Sequence, residues 1–475
     1  FYIEYPEEIN QDAIDEDLLQ FVLIGLMSQH ISLLSPTRVS LDVPVDEAIL
    51  NLWTRVMSLH HRVNPYGVNR TGAFDVRFQS RSWRTRRANS LTPFEERVAA
   101  SGNCLMYGGG KDALVQLAML LEMFPDELLL TATVDDFVAP SFMPVLHDLA
   151  DQASEIVPLR LETNIKRVLH PVGILMWPLL VLPYLFQRGI ARCYWAVEAN
   201  MSRFIECEGN ALPWKIHTTQ VLMTALNMLS ERRDWPTKII SLLTPMSAYA
   251  SQAILAKRYP SFLPFQRSCI QGTTGQPYCS KCSKCMIIGL TLLSLGYDPS
   301  VIGLDAQSLF SAEATGRWVF NPRDLCPETK LISSFLGEQV AEHAWAVLAE
   351  DAHAASCLRS DAARRTFETL REQNPNSQRV EWVTQHLIAA LPLVLPDLPE
   401  EARRAYCRIL REELPARNES LPAYPHAIID PTSWADWATR LAGSSCPGDA
   451  AEGAGHPRRG ALDDRYGRRS RRWKR

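Results

Sequence analysis

The sequence predicts an α/β protein with a doubly wound, mostly parallel sheet. From residue 100 onward, short apolar runs of strand length alternate with longer runs of helical apolar periodicity. Such alternation is typical of parallel strands joined by helices that cover both faces of the sheet. The predicted strands are 104–107, 128–134, 156–161, 191–197 and 238–243. The helices predicted among them are 113–123, 143–151, 173–186, 216–229 and 247–259.

The first predicted strand ends in a glycine loop, Gly108-Gly109-Gly110-Lys111-Asp112, which leads directly into the first predicted helix. A strand, a glycine turn and a helix start together aim backbone N–H groups and the positive helix end at an anion. Lys111 adds a positive charge suited to phosphate, and Asp112 is placed where a carboxylate holds Mg²⁺. Because ligands of such sheets bind beyond the carboxyl ends of the strands, we expect the nucleotide-binding site here.

Two common glycine motifs do not fit this loop. In a Walker A loop the lysine is followed by Ser or Thr, whereas Asp112 follows Lys111 here. The dinucleotide-binding fingerprint requires a third glycine where this chain has Ala113. The alternative without a ligand is an ordinary glycine turn with a solvated Lys-Asp pair.

Four of the eleven cysteines lie within seventeen positions, and they are Cys269, Cys279, Cys282 and Cys285. Four thiolates at this spacing suit a closed, tetrahedral Zn²⁺ site, which we assign to folding and not to chemistry. An iron–sulfur cluster and free loop cysteines are the alternatives. The scatter of the other cysteines argues against a disulfide framework and for a reducing, cytoplasmic location.

The length of 475 residues predicts two or three domains. We expect a mixed region at 1–99 and the α/β domain at 100–300, with the zinc lobe at 269–285. A helical region follows at 301–440, with helices at 339–358, 359–372, 380–391 and 400–413. A basic tail at 441–475 is predicted to be disordered.

The bulk composition gives little indication of a macromolecular partner. The net charge of −4 favours neither nucleic acid nor a membrane, apart from the arginine-rich tail. The uncharged stretch 169–187 is long enough to cross a bilayer, but its three prolines favour a buried helix. Residue 1 is Phe, which leaves open whether the natural N-terminus lies further upstream. The sequence does not predict the oligomeric state.

The glycine loop resembles the Gly-Gly-x-Asp-Ser loop of the PP-loop ATP pyrophosphatases, which have a HUP-like fold. It looks most like the Gly-Gly-Gly-Lys-Asp-Ser loop of the UDP-N-acetylmuramoyl-L-alanyl-L-glutamate epimerase family, as do the segments 241–247, 259–264 and 268–269. The cysteine spacing is similar to that of 7-cyano-7-deazaguanine synthase, another PP-loop enzyme. The resemblance covers roughly residues 100–300.

This resemblance implies an ATP-dependent, AMP-forming enzyme of peptidoglycan biosynthesis. In the epimerase family, ATP activates the α-carboxylate of a terminal L-glutamate, the acidified Cα proton is exchanged, and hydrolysis gives the D-glutamyl product. The implied ligands are ATP, Mg²⁺, Zn²⁺ and a small-molecule or nucleotide-linked peptide substrate. By this resemblance ATP binds to Gly108, Gly109, Gly110, Lys111 and Asp112, of which Lys111 and Asp112 are catalytic.

The chain also departs from the family pattern. Ala113 stands where the loop has a serine, and the helical region after residue 300 has no counterpart. Glu206, Glu208 and His217 lie where substrate and base groups are expected, but they are candidates by residue type alone. Two alternatives therefore stay open, namely amidation of a deazapurine-type carboxylate, and a degenerate ATP-binding zinc protein that acts through partners.

Overall fold

The structure is a computed structural model, and it describes the central sheet and elements that surround it. The described residues are 3–4, 16–34, 38–41, 45–63, 77–80, 83–84, 101–134, 145, 148–149, 156–163, 176–207, 210–213, 216, 219–269, 272–273, 275–311, 338–351, 356, 358, 360–373, 378–418, 421–422 and 427–443.

The described residues contain both helices and short strands along their whole length. The helices are α1 (Glu16–Leu34), α2 (Glu47–Val63), α3 (Lys111–Met123), α4 (Met176–Gln187), α5 (Gln220–Arg232), α6 (Ala248–Lys257), α7 (Ser283–Ser294), α8 (Ala306–Leu309), α9 (Glu338–Glu350), α10 (Asp361–Gln373), α11 (Glu400–Glu413) and α12 (Pro431–Ala442). The strands are β1 (Ile3–Glu4), β2 (Arg38–Leu41), β3 (Val45–Asp46), β4 (Arg77–Ser80), β5 (Trp83–Arg84), β6 (Ser101–Met106), β7 (Leu129–Val134), β8 (Ile156–Thr163), β9 (Ile190–Tyr194), β10 (Phe204–Cys207), β11 (Asn210–Pro213), β12 (Lys238–Ile240), β13 (His386–Leu387), β14 (Ala416–Arg417), β15 (Leu421–Pro422) and β16 (Ala427–Ile429).

A six-stranded sheet in the order β1-β8-β7-β6-β9-β12 forms the centre of the fold. Five of its strands are parallel, namely β8, β7, β6, β9 and β12. The sixth, β1, pairs antiparallel with β8 at one edge. In register, Cys104 on β6 lies between Leu130 on β7 and Cys193 on β9. The chain winds outward from β6 in both directions, so the strand order reverses between β6 and β9. The predicted α/β class and mostly parallel sheet are confirmed.

Helices pack on the sheet in two groups. Because crossovers between parallel strands are right-handed and run in opposite directions from β6, α3 lies on one face and α4 and α5 lie on the other. α6 and α11 pack against α3, whereas α1 packs against α4 and α12 packs against α5. The side chains at 179–182 of α4 are almost fully buried, so this part of the apolar stretch lies in the core. Of the helices that the structure describes, none has both the length and the apolarity to cross a bilayer.

The segment predicted as a helix at 380–391 has a different structure. It forms a 3₁₀ turn at Glu381–Thr384, the strand β13, and a 3₁₀ helix at Ile388–Leu393. The His386 N–H donates to the Pro415 carbonyl at 3.0 Å, and the Leu387 N–H donates to the Pro245 carbonyl at 2.9 Å. These partners from distant segments replace the helical hydrogen bonds, so the helix prediction is wrong. The other three predicted helices of this region, 339–358, 359–372 and 400–413, overlap in sequence with α9, α10 and α11, respectively.

C-terminal segments pack directly on the central α/β elements. The Tyr406 hydroxyl of α11 donates to the Leu242 carbonyl at 2.6 Å, and Trp434 Nε1 of α12 donates to the Ser202 carbonyl at 2.8 Å. β10 and β11 join β16 and β15 in a second, four-stranded sheet. The predicted helix at 143–151 lies mostly outside the described residues, as does the predicted tail from residue 444 onward.

An ionic network joins α3, α6 and α11 on one face of the sheet. Glu122 accepts hydrogen bonds from Arg258 at 2.8 and 2.9 Å and from the Tyr259 hydroxyl at 2.8 Å. Arg258 also contacts Glu412 and Glu413 of α11 at 2.8 and 3.1 Å. The hydrogen bonds from Arg258 lower the pKa of Glu122 to about 2.

Replacement of Glu122 by Gln is expected to lower the free energy of unfolding at pH 7 by about 1 kcal/mol. Because the folded-state pKa is lowered, the stabilisation is present above the unfolded-state pKa of about 4.3 and is lost as the pH falls toward 2. Urea unfolding at pH 7 and pH 3 measures the free energy of unfolding. The gap in this free energy between variant and wild type should be smaller at pH 3 than at pH 7. Glu231→Gln, in a more exposed ion pair with Lys238, is the control. An equal gap at both pH values contradicts the assignment.

Candidate functional site

The glycine loop connects the carboxyl end of β6 to the start of α3, next to the point where the strand order reverses. Gly109 has φ +72°, in the left-handed region that glycine adopts without strain. Gly110 is the N-cap of α3, and its carbonyl accepts the Leu114 N–H at 3.0 Å to close the first turn. The first N–H groups of a helix have no partner within the helix, so this end favours an anion.

Lys111 is held at this helix end by three side chains from three parts of the chain. Its Nζ donates to the carboxylates of Asp112 and Glu198, and to Ser251 Oγ at 2.8 Å. Ser251 Oγ in turn donates to Glu198 Oε1 at 2.7 Å. Glu198 follows β9, the sheet neighbour of β6, and Ser251 lies in the first turns of α6. One buried ammonium therefore joins two carboxylates and a hydroxyl.

The open side of this cluster is at Asp112. The side chain of Asp112 is 41 % exposed, whereas those of Lys111 and Glu198 are 7 % and 5 % exposed. Asp112 is therefore the one of these three charged groups that faces solvent. The backbone N–H of Lys111 donates to Ser268 Oγ at 3.1 Å, so a protein hydroxyl occupies one of the N–H groups of the helix start.

The three charged groups of the cluster shift one another's pKa values. Burial, and next the negative charge of Asp112, raise the pKa of Glu198 to about 8. Burial opposes ionisation of Asp112, but the adjacent Lys111 ammonium lowers the pKa of Asp112 below its usual value. Burial also opposes the charge on Lys111. The negative charges of Asp112 and Glu198 outweigh this effect and raise the pKa of Lys111 above its usual value. Glu198 is thus a buried carboxyl that gains or loses its proton near physiological pH, as acid–base and metal-binding groups do.

The four predicted cysteine ligands converge at one place. All four Sγ atoms lie within 4.8 Å of one another, with 3.5 Å between Cys282 and Cys285 and 3.7 Å between Cys279 and Cys285. Tetrahedral bonds of about 2.3 Å from a zinc ion place sulfurs about 3.8 Å apart. The cluster is therefore compatible with one Zn²⁺.

Local geometry explains why these cysteines meet. Cys282 is the N-cap of α7, and Cys285 lies in its first turn. Ser280 has φ +53°, which turns the chain between Cys279 and Cys282. A Cβ at Gly272 would lie 2.2 Å from the Pro277 carbonyl oxygen, so glycine is required where the loop folds back beside Cys269.

The cysteine cluster adjoins the glycine loop. Cys269 directly follows Ser268, which binds the Lys111 N–H. Burial lowers the pKa of Lys284, which lies between Cys282 and Cys285 in sequence, and the nearby charges of Asp112 and Lys111 shift it as well. The two predicted sites, separated by more than 150 residues in sequence, therefore lie side by side.

The structure brings together some of the candidates and leaves others apart. Gly108 to Asp112 form one loop, and the four cysteines form one cluster. Glu206 lies on β10, where it pairs with Ala211, and Glu208 and His217 lie outside the described residues. Sequence reasoning missed Glu198 and Ser251. The position of Glu198 just after the predicted strand 191–197 was a usable signal, since parallel strands end at one edge.

A separate cleft of about 550 Å³ lies between α6, α9 and the turn at Glu381–Thr384. Among the described residues that line it are Tyr249, His343 and Arg379, and none of the Lys111 cluster. His343 Nδ1 accepts the Val380 N–H at 3.1 Å, and burial lowers the pKa of His343 to about 4. The imidazole is therefore neutral, and the cleft differs in chemistry from the glycine loop.

Comparisons with known proteins return nothing that resembles the chain. No protein-family model matches it, no curated protein matches it, and no solved structure matches it.

Proposed function

We propose that this protein is an ATP-dependent, AMP-forming enzyme that adenylates a carboxylate. The observation that carries the proposal is the position of Lys111, which is fixed by Asp112 and Glu198 at the N-terminus of α3 and beside the reversal of strand order. Open α/β sheets bind their ligands at this position, and the positive helix end with a fixed lysine suits a triphosphate.

The glycine loop binds the β- and γ-phosphates of ATP. The N–H groups of the first turn of α3 other than that of Lys111 donate to the phosphate oxygens, and the Lys111 ammonium does the same once Mg²⁺ replaces it on Asp112 and Glu198. Ala113 supplies no hydroxyl, but Ser251 and Ser268 bring two hydroxyls to Lys111 from α6 and from the segment before Cys269. Ser251 donates its proton to Glu198, so the Ser268 hydroxyl takes the place of the serine that the resembling loops carry after the aspartate.

Asp112 and Glu198 hold Mg²⁺. Two carboxylates that share one ammonium form an oxygen donor set of the kind that Mg²⁺ prefers, and the more exposed Asp112 gives the ion access. Bound there, Mg²⁺ offsets the negative charge of the triphosphate and of the departing pyrophosphate. The four cysteines hold Zn²⁺ in a closed site with a structural role.

In the reaction, an oxygen of the substrate carboxylate attacks the α-phosphorus of ATP. The new bond is O–Pα, the bond to the bridging oxygen of the β-phosphate breaks, and pyrophosphate leaves with the electron pair. Lys111 and the helix N–H groups stabilise the charge on that leaving group. For the substrate we propose the terminal L-glutamate of a muramyl peptide, whose Cα proton becomes acidic once its carboxylate is adenylated.

The test is incubation with ATP, Mg²⁺ and one acceptor at a time, followed by ³¹P NMR. AMP and pyrophosphate are the expected products with a peptide that ends in L-glutamate, and in D₂O the product gains deuterium at Cα. AMP formation only with a deazapurine carboxylate and ammonia would establish the amidation alternative. ADP as the product overturns the proposal, and tight ATP binding without turnover favours the degenerate protein.

Replacement of Glu198 by Gln is expected to lower Mg²⁺-dependent turnover at least about tenfold, because one oxygen ligand loses its charge. Its effect on stability depends on pH. A folded-state pKa of about 8 makes the wild type lose stability as the pH rises from about 4.3 to 8, by at most about 1.4 kcal/mol per unit.

The Glu198→Gln variant lacks this loss, so its stability relative to the wild type should increase between pH 5 and pH 8.5. Denaturant unfolding across that range measures the difference. Glu231→Gln, whose side chain is 66 % exposed in the wild type, is the control. Parallel pH profiles for Glu198→Gln and wild type contradict the assignment of a buried, shifted carboxyl.

A further inference from the structure

We propose that metal in the cysteine cluster and anion binding at the glycine loop are energetically coupled through a strap, defined as residues 266–269, with Ser268 and Tyr278 as positioning residues. The inference rests on the proposed function in that it takes the glycine loop as a phosphate site. It goes further by giving the zinc lobe a direct part in nucleotide affinity.

The strap binds two main-chain groups of the glycine loop. The Arg267 N–H donates to the Gly109 carbonyl at 2.7 Å, and Ser268 Oγ accepts the Lys111 N–H at 3.1 Å. These bonds hold the left-handed turn at Gly109 and the first residue of α3, which set the direction of the N–H groups offered to phosphate. Ser268 is 5 % exposed, so this contact is largely shielded from solvent.

The same strap is tied to the cysteine cluster by one side chain. The Tyr278 hydroxyl accepts the Ser268 N–H at 3.3 Å and donates to the Gln266 carbonyl at 3.1 Å. Tyr278 is fully buried and directly precedes Cys279. The Cys279 N–H in turn donates to Cys269 Sγ at 3.4 Å. Each end of this short network is therefore one residue from a metal ligand.

A second contact anchors the strap near the Lys111 cluster. Gln252 Nε2 of α6 donates to Gln266 Oε1 at 3.0 Å, and Gln252 follows Ser251 in the helix. Both glutamines are fully buried. The strap thus has one end attached to α6 and the loop, and its other end attached to the cysteine cluster.

This arrangement makes the metal a determinant of loop geometry. A metal ion fixes Cys269 and Cys279 relative to each other, and Tyr278 passes that constraint to the Ser268 and Arg267 contacts. Donors for a phosphate must be held to within about 0.5 Å for full effect. Because coupling between two sites is reciprocal in binding free energy, an anion at the loop must also raise the affinity for the metal, and such a change in affinity is expressed mostly in the rate of dissociation.

The experiment uses zinc-loaded full-length protein and inorganic pyrophosphate as the probe. Calorimetry gives the dissociation constant of pyrophosphate, and transfer of zinc to a coloured chelator gives the rate of metal release. For the wild type we expect saturating pyrophosphate to slow zinc release at least about fivefold. Tyr278→Phe should weaken pyrophosphate binding by a similar factor and remove most of the slowing of zinc release. In the absence of chelator this variant should still bind zinc.

Tyr297→Phe is the matched control, because the Tyr297 hydroxyl donates to one backbone carbonyl, that of Ala256, at 2.8 Å in the same part of the fold. It should leave both measurements unchanged. Ser268→Ala is a second variant that breaks the network from the strap side, and it should behave like Tyr278→Phe. Equal pyrophosphate affinity and equal protection in Tyr278→Phe, Ser268→Ala and wild type overturn the coupling. A wild type that does not bind pyrophosphate overturns the proposed phosphate site and the coupling with it.

Discussion

Replacement of Lys111 by Met is expected to lower the rate of AMP and pyrophosphate formation by at least about 10²-fold while the fold stays intact. The ammonium is the positive side chain at the loop that three partners hold in a fixed position, and loss of one preorganised donor to a developing charge typically costs this much. The fold survives because the buried Glu198 carboxyl keeps its proton once Lys111 no longer offsets the charge of Asp112.

The measurement compares turnover, melting temperature and zinc content of Lys111→Met with those of the wild type. Lys257→Met is the matched control, because Lys257 is an exposed residue at the end of α6. It should leave turnover unchanged. If Lys111→Met retains full turnover, Lys111 does not bind the reacting phosphates and the site assignment is wrong.

Replacement of Cys282 by Ser is expected to remove zinc and to lower the melting temperature by more than about 5 °C. Structural zinc contributes its binding free energy to folding, and a serine hydroxyl is a much poorer ligand than a thiolate. Loss of the metal also frees the start of α7, since Cys282 is its N-cap and Cys285 lies in its first turn.

Metal analysis and thermal unfolding in parallel measure this outcome. Cys407→Ser on α11 is the control for the loss of a partly buried thiol outside the cluster. It should keep about one zinc ion per chain and a nearly unchanged melting temperature. A Cys282→Ser protein that binds as much zinc as the control and melts with it would show that the four cysteines do not hold a metal.

The succession of strands along the central part of the chain follows from local sequence pattern. Buried parallel strands appear as short apolar runs, so all five were predicted, and β8 begins at the predicted residue. The segment at 380–391 was not predictable in this way. Its apolar spacing suits a helix, but the backbone partners Pro245 and Pro415 lie far away in sequence.

The candidate site shows the same division. Cysteine spacing predicted that the four thiols converge because three of them lie within seven residues, and glycines with Lys111 predicted the loop. Glu198 and Ser251 were missed because they reach Lys111 only through the pairing of β6 with β9 and the packing of α6 on α3. The contact between the zinc lobe and the loop likewise depends on the bonds from Arg267 and Ser268, which no local pattern shows.

A crystal structure of the zinc-loaded protein with Mg²⁺ and α,β-methylene-ATP shows whether the glycine loop binds the triphosphate, since this analogue is not cleaved between its α- and β-phosphates. We expect the phosphates to lie at the first turn of α3, with Lys111 on their oxygens and Mg²⁺ on Asp112 and Glu198. A nucleotide bound in the cleft beside Tyr249 and His343, with an unchanged Lys111 cluster, would contradict it.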